Sequence, residues 1–183
     1  MTTKVTAAML AADVDEKIDA LIAGAIAAIP EQEKMTGDVI QSARFATGEM
    51  STGTVVHANA NVPAITEGNQ VMALSFTPIS ATSKLRIRVV SHCGTSVAAT
   101  ICMASLHAGG PGLAAAAGYC DTVAGMRQLV IDHEMVAGTT SAIPFTVRQG
   151  IHLAGTMTFN GTGGIRRFGG VLCSHITIDE IKA

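Results

Sequence analysis

KLRIRVV, residues 84–90, decides the fold class. In an extended chain Leu85, Ile87 and Val89 fall on one side and Lys84, Arg86 and Arg88 on the other. A period of two fits a strand with one face on a core and one in water. Just upstream, VMALSFTP (71–78) alternates Met72, Leu74 and Phe76 with Ala73, Ser75 and Thr77, and Pro78 ends the run. Neither of its faces is charged, so it is expected to be covered on both.

The same period recurs over 38–46, 53–58, 97–107, 126–136, 142–148, 151–159 and 170–181. With the two runs above this makes nine strands, at the spacing of a sandwich or barrel. AGGPGLAAAAG (108–118) is read as a loop with a helical turn, because its Gly and Pro deny it a long helix. NGTGG (160–164) is a turn signal, and Gly169-Gly170 marks a bulge or a close backbone approach. Arg166, Arg167 and Phe168 then sit on a short exposed connection, where they make either a surface charge pair or a subunit contact. In the last strand Leu172, Ser174, Ile176 and Ile178 share a face. A terminal strand this apolar must be central or covered.

Only one segment has helical periodicity. In DVDEKIDALIAGAIAAI (13–29) Asp13 can cap, Glu16 completes a capping box and Pro30 marks the stop. Val14, Ile18, Leu21, Ile22, Ile26 and Ile29 build an apolar stripe suited to trimerisation or to docking on another protein, with packing on the chain's own domain as the alternative. Residues 31–38 are a polar hinge. The organisation is therefore a helical arm and hinge over 1–37, then a β-domain over 38–183.

The 183 residues are 48% hydrophobic, 14% charged and 3% aromatic, with a formal net charge of -2 from twelve basic and fourteen acidic residues. So few charges suit an oligomer or a docked protein better than a free monomer. No basic run is interleaved with aromatics, which argues against nucleic-acid binding. The ten-residue run Ala20 to Ile29 is about half a bilayer span, so no membrane span is expected. Nor does the N-terminus read as a secretory signal. The cysteines, Cys93, Cys102, Cys120 and Cys173, form no paired motif and are expected to be buried, reduced thiols.

Six histidines (57, 92, 107, 133, 152 and 175) show no metal-ligand spacing. Asp132, His133 and Glu134 on one strand must point to alternate faces. Three copies of one histidine on a threefold axis would be the exception. No nucleophile elbow is present, and Ser91 and Ser174 face away from the histidines next to them. GTGG precedes a strand, where a phosphate loop needs a helix. The residues thus point to no catalytic, cofactor or metal site.

DVIQSARFATG (38–48), TEGNQVMALSFTPISATSKLRIRVV (66–90) and NGTGGIRRFGGVLCSHITIDEIKA (160–183) together resemble a group of tailed-bacteriophage virion proteins. In that group a G-x-V-I-Q opening, a P-x-S-x-x-N/S-K-L-x-I middle and a GG-V-x-x-S-x-I-x-I-x-E-I ending bracket a β-sandwich. The resemblance implies an antiparallel jelly-roll-like sandwich preceded by one short N-terminal α-helix. It also implies a non-enzymatic homotrimer on the virion surface, as in head or tail fibres and capsid decoration proteins, with other virion proteins as partners. Members often form the distal part of longer fibres. The short arm here favours a decoration protein or short fibre anchored through 1–37, with a receptor-binding tip contacting host surface glycan as the alternative.

Overall fold

The computed structural model describes residues 14–22, 34–57 and 61–183. The chain divides into two units, Met1–Met35 and Thr36–Ala183. In the first, residues 14–22 are helical. In the second, twelve strands follow one another: β1 (Val39–Thr47), β2 (Ser51–Gly53), β3 (Asn69–Phe76), β4 (Lys84–Thr95), β5 (Thr100–Ala108), β6 (Gly112–Cys120), β7 (Met126–Val136), β8 (Ile143–Ile151), β9 (Met157–Phe159), β10 (Gly161–Thr162), β11 (Ile165–Arg166) and β12 (Ser174–Ile181).

Two antiparallel sheets result. The first runs β1-β12-β4-β7, with β9 and β2 continuing it beside the end of β4. The second runs β3-β8-β5-β6. Apart from the β5–β6 hairpin, the eight long strands β1, β3, β4, β5, β6, β7, β8 and β12 cross from sheet to sheet in turn, and this order of two four-stranded layers is a jelly roll. β12 lies between β1 and β4, pairing Ile178 with both Ala43 and Ile87, so the terminal strand is central as its apolar face requires.

Each sheet turns one face inward. Leu85, Ile87 and Val89 of β4 and Ile176 and Ile178 of β12 have no exposed surface, and they meet Phe76, Phe145, Val147 and Leu106 of the other sheet. Each such aliphatic chain contributes about 1.5–3 kcal/mol of transfer free energy. Lys84, Arg86 and Arg88 face water.

Four expectations need correction. Residues 112–120 form β6, paired with β5 on either side of a bulge at Leu113, where a loop was expected over 108–118. Its side chains are so small that their weak strand preference is overridden by the ladder and by Ala114 and Ala116 packing on the core. Residues 151–159 are interrupted: β8 stops at Ile151 and pairing resumes at Met157. Of the described residues in 53–58, only Gly53 is in a strand. β3 is an edge strand whose Ala73 and Ser75 are exposed, so it is covered on one face, not two.

Residues 54–57 and 61–68, which follow β2, lie on the outer face of the second sheet as a strap. Its His57 N–H donates to the Ile151 carbonyl at 3.1 Å, the Pro63 carbonyl accepts from Gly112 at 2.8 Å, and Arg148 of β8 donates to the Glu67 and Gly68 carbonyls. Elsewhere the buried Glu180 carboxylate accepts the Ile79 and Ser80 N–H groups at 2.9–3.0 Å, fixing the turn between β3 and β4.

Candidate interaction site

Four connections are laced together at one end of the sandwich. The 95–100 loop binds the next one, with Thr95 N–H donating to the Gly125 carbonyl and Ala124 N–H to that of Thr95. The Thr162 hydroxyl donates to the Ala124 carbonyl at 2.6 Å, bringing in β10. Ser96 N–H donates to the Thr156 carbonyl, and Ser96 Oγ accepts from Thr156 N–H at 2.8 Å.

At the centre sits Asn160, fully buried with a positive φ of 52°. Its Nδ2 donates to the Thr47 and Glu49 carbonyls at 2.9 and 3.0 Å, its N–H donates to the His92 carbonyl, and its Oδ1 accepts the Ser174 hydroxyl at 2.6 Å. Asparagine suits this place because it tolerates the left-handed region and offers both donors and an acceptor.

On that hub stands the tip, 161–171. Gly163 and Gly164, at φ 60° and 73°, make the tight turn read from the sequence, and β10 and β11 close on it. Arg166 bonds Glu49 at 2.6 Å. Gly48 touches the Gly170 carbonyl so closely that no Cβ fits there, which is the close backbone approach expected of Gly169-Gly170. Arg166, Arg167 and Phe168 are exposed, and Phe168 holds φ 52° while 70% of its surface is in solvent. Ile165 (59%) and Val171 (82%) extend the apolar surface, and no pattern in the sequence singled them out.

The structure also assembles a buried polar chain that the sequence hid. Ser105 Oγ lies between two imidazoles, 2.7 Å from His57 Nε2 and 2.8 Å from His107 Nε2. His107 Nδ1 is 3.0 Å from the Gly110 carbonyl, and the Glu67 carboxylate is 3.8 Å from His57 Nδ1. A carbonyl only accepts, so neutral His107 carries its proton on Nδ1 and Ser105 donates to its Nε2; His57 Nε2 then donates to Ser105. Ser105 donates to His107 as a nucleophile does to its base, but Ser105 Oγ is fully buried and closed to a substrate. All three residues are fully buried, and Gly68 and Gly150 have no Cβ where the His57 side chain packs. The chain fastens the strap. Burial, more than the opposing Glu67 carboxylate, holds the His57 pKa below the usual histidine value.

Ser91 and Ser174 are structural too, donating to Gln149 and Asn160. His92 and His175 are neighbours on the outer face of the first sheet, and both pKa values are depressed. Desolvation is the main cause for each, with His175 adding to it at His92 and Arg44 and Arg88 at His175. Among the described residues no group of three His, Cys, Asp or Glu side chains is placed to hold a metal ion.

Cys93, Cys102 and Cys120 are buried free thiols, as expected, whereas Cys173 is exposed because it falls before β12 begins. Cys102 and Cys120 have sulfurs 3.5 Å apart. Burial pushes the Cys120 thiol up to about 11, and the hydrogen bond to Cys93, then burial, pushes Cys102 higher still.

Of the helical stripe, Val14, Ile18, Leu21 and Ile22 lie in the described helix and are exposed, Leu21 most at 73%. Ile26 and Ile29 lie outside the described residues. No described helix is long and apolar enough to cross a membrane.

No protein-family model and no curated protein matches the chain. Solved structures that it resembles include infectious bursal disease virus of the Gt strain, with a TM-score of 0.39 and 11% identity over 85% of this chain and 42% of that one. Another is the same virus of the Gx strain, with a TM-score of 0.39 and 16% identity over 85% of this chain and 40% of that one. The chain spans about two fifths of the length of these solved chains.

Proposed function

We propose that this protein is a structural component of a tailed-bacteriophage virion, a homotrimeric capsid decoration or short fibre protein with no enzymatic activity. The observation that carries the reading is where the three resembling stretches fall. They occupy β1, the run from the end of the strap through β3 into β4, and the tip with β12, which are the opening, middle and closing parts of one jelly roll. A particle-bound role agrees with the low charge and with the apolar side chains left in water on the helix and the tip.

In this reading residues 1–37 anchor or trimerise through Val14, Ile18, Leu21, Ile22, Ile26 and Ile29, and Arg166, Arg167 and Phe168 touch a neighbouring subunit or virion protein. Mass measured by light scattering is expected to be about 56 kDa, three times 18.7 kDa. Purified phage particles should release the protein as an oligomer. Removal of residues 1–35 should abolish its rebinding to stripped particles, and unchanged rebinding would remove the anchoring role.

The fixed backbone of the tip favours one second reading, a receptor-binding tip at 160–168 that contacts a host surface glycan. With one Tyr and no Trp in the chain, the stacking surface for sugar is small. Labelled protein should bind host cells in that case, and a Phe168→Ala variant should not.

A further inference from the structure

Three thiols come together in the core between the two sheets. Cys93 belongs to β4 of the first sheet, Cys102 to β5 and Cys120 to β6 of the second, and none of them has exposed surface. Cys93 directs its S–H at the Gly94 and Gly150 carbonyls, and the Cys102 sulfur lies 3.7 Å from the Cys93 carbonyl. The Cys120 sulfur is 3.5 Å from that of Cys102. A structural role on a virion makes no use of this contact.

The strand register places the pair. Cys102 stands opposite Gly118 and Cys120 opposite Thr100, so the two cysteines are diagonal neighbours on adjacent strands. Both lie at the open end of the β5–β6 hairpin, far from its turn at 109–111. The turn ties one end of the hairpin, whereas at the other β6 stops at Cys120 itself. β6 is also an edge strand, made largely of alanine and glycine and bulged at Leu113, so its own strand preference is weak. Local opening starts at such ends.

We propose that Cys102 and Cys120 are an oxidation site, at which a small peroxide forms a disulfide that staples the open end of the β5–β6 hairpin. The sulfurs close by about 1.5 Å to reach the ~2.05 Å of the bond, a displacement that rotation about the side-chain torsions supplies. Cys120, at the strand end, attacks as its thiolate: its sulfur takes one peroxide oxygen, the O–O bond breaks, and the departing hydroxide takes up the proton that Cys120 gave up, leaving a sulfenic acid. The Cys102 sulfur then attacks that of Cys120, the S–O bond breaks, and the second hydroxide leaves as water with the Cys102 proton. Two thiols and one peroxide become one disulfide and two waters, and two electrons pass from sulfur to oxygen. Burial keeps both thiolates scarce, which makes the reaction slow, and it shields the finished bond from reductants. In the virion reading, a particle that leaves the reducing interior of a cell meets such oxidants, but the chemistry does not depend on that reading.

The test is a thiol count on the full chain. Exposed Cys173 is first blocked with N-ethylmaleimide in the native state, which leaves the three buried thiols free. After prolonged incubation with hydrogen peroxide, and removal of the excess with catalase, the chain is unfolded in urea and its thiols are labelled. A single thiol should remain, and a non-reducing peptide map should place the bond between Cys102 and Cys120 and the label on Cys93. The urea midpoint should rise by roughly 1 M and return on treatment with dithiothreitol, which reverses the disulfide and leaves oxidised methionines as they are. Cys120→Ala, treated alike, should keep both of its buried thiols. Three thiols surviving peroxide, a bond that includes Cys93, or a midpoint that the bond does not move each overturns the inference, as does loss of both thiols from Cys120→Ala. None of these results touches the virion reading.

Discussion

Asn160 ties the β1–β2 connection to β12 through one buried side chain. Replacing it with Ala removes three side-chain hydrogen bonds, among them the one that accepts the Ser174 hydroxyl, and puts an alanine at a φ of 52°. The expected loss is about 2–4 kcal/mol, read as a lower urea midpoint with an unchanged slope. Glu180→Ala should cost a similar ~2–4 kcal/mol, because two backbone N–H groups of the β3–β4 turn lose their buried carboxylate acceptor. Arg166→Ala, by contrast, breaks only an exposed ion pair with Glu49 and should stay within about 1 kcal/mol. Neither hub could be read from the sequence. Asn160 stood in a turn signal like any other asparagine, and Glu180 sits in a strand where an acid is expected to face water. Their roles depend on groups more than 100 residues away, a separation that local pattern does not encode.

The elements differ in how clearly the chain announces them. β4 and β12 were legible because their two faces carry opposite chemistry, Leu, Ile and Val against Lys, Arg, Thr and Asp. β6 was not, since alanine occupies both its inward and outward positions and a period of two cannot show without contrast. The polar chain of His57, Ser105 and His107 was equally hidden, its members lying on a strap and a strand 48 residues apart that only the fold superposes. The β10–β11 turn was legible, because two adjacent glycines supply the positive φ that a two-residue hairpin demands. Gly164→Val should cost roughly 1–2 kcal/mol through the same requirement, lowering the melting temperature while leaving the far-UV spectrum intact.

For the molecule as a whole, three histidines set the response to acid. His57, His92 and His175 all have depressed pKa values in the folded state, chiefly from burial. The unfolded chain then binds more protons than the native one as pH drops through about 6.5, so their contribution is complete above that value and declines below it. Urea midpoints measured between pH 8 and pH 5 should be flat at first and fall below about pH 6.5. His92→Gln should flatten part of that fall, and a profile identical to wild type would show that this residue does not contribute.

The start and finish of the β-unit are tied to each other. Gly37 N–H donates to the Lys182 carbonyl, and Lys182 N–H donates to that of Asp38, each at 2.9 Å. From there β1 and β12 run paired to the opposite end, where the tip stands. Connectivity and shape are therefore separable in this unit. A linker of two or three residues could join Lys182 to Gly37 and the chain could be opened between Gly163 and Gly164, giving a circularly permuted β-unit with the same core and new termini at the tip.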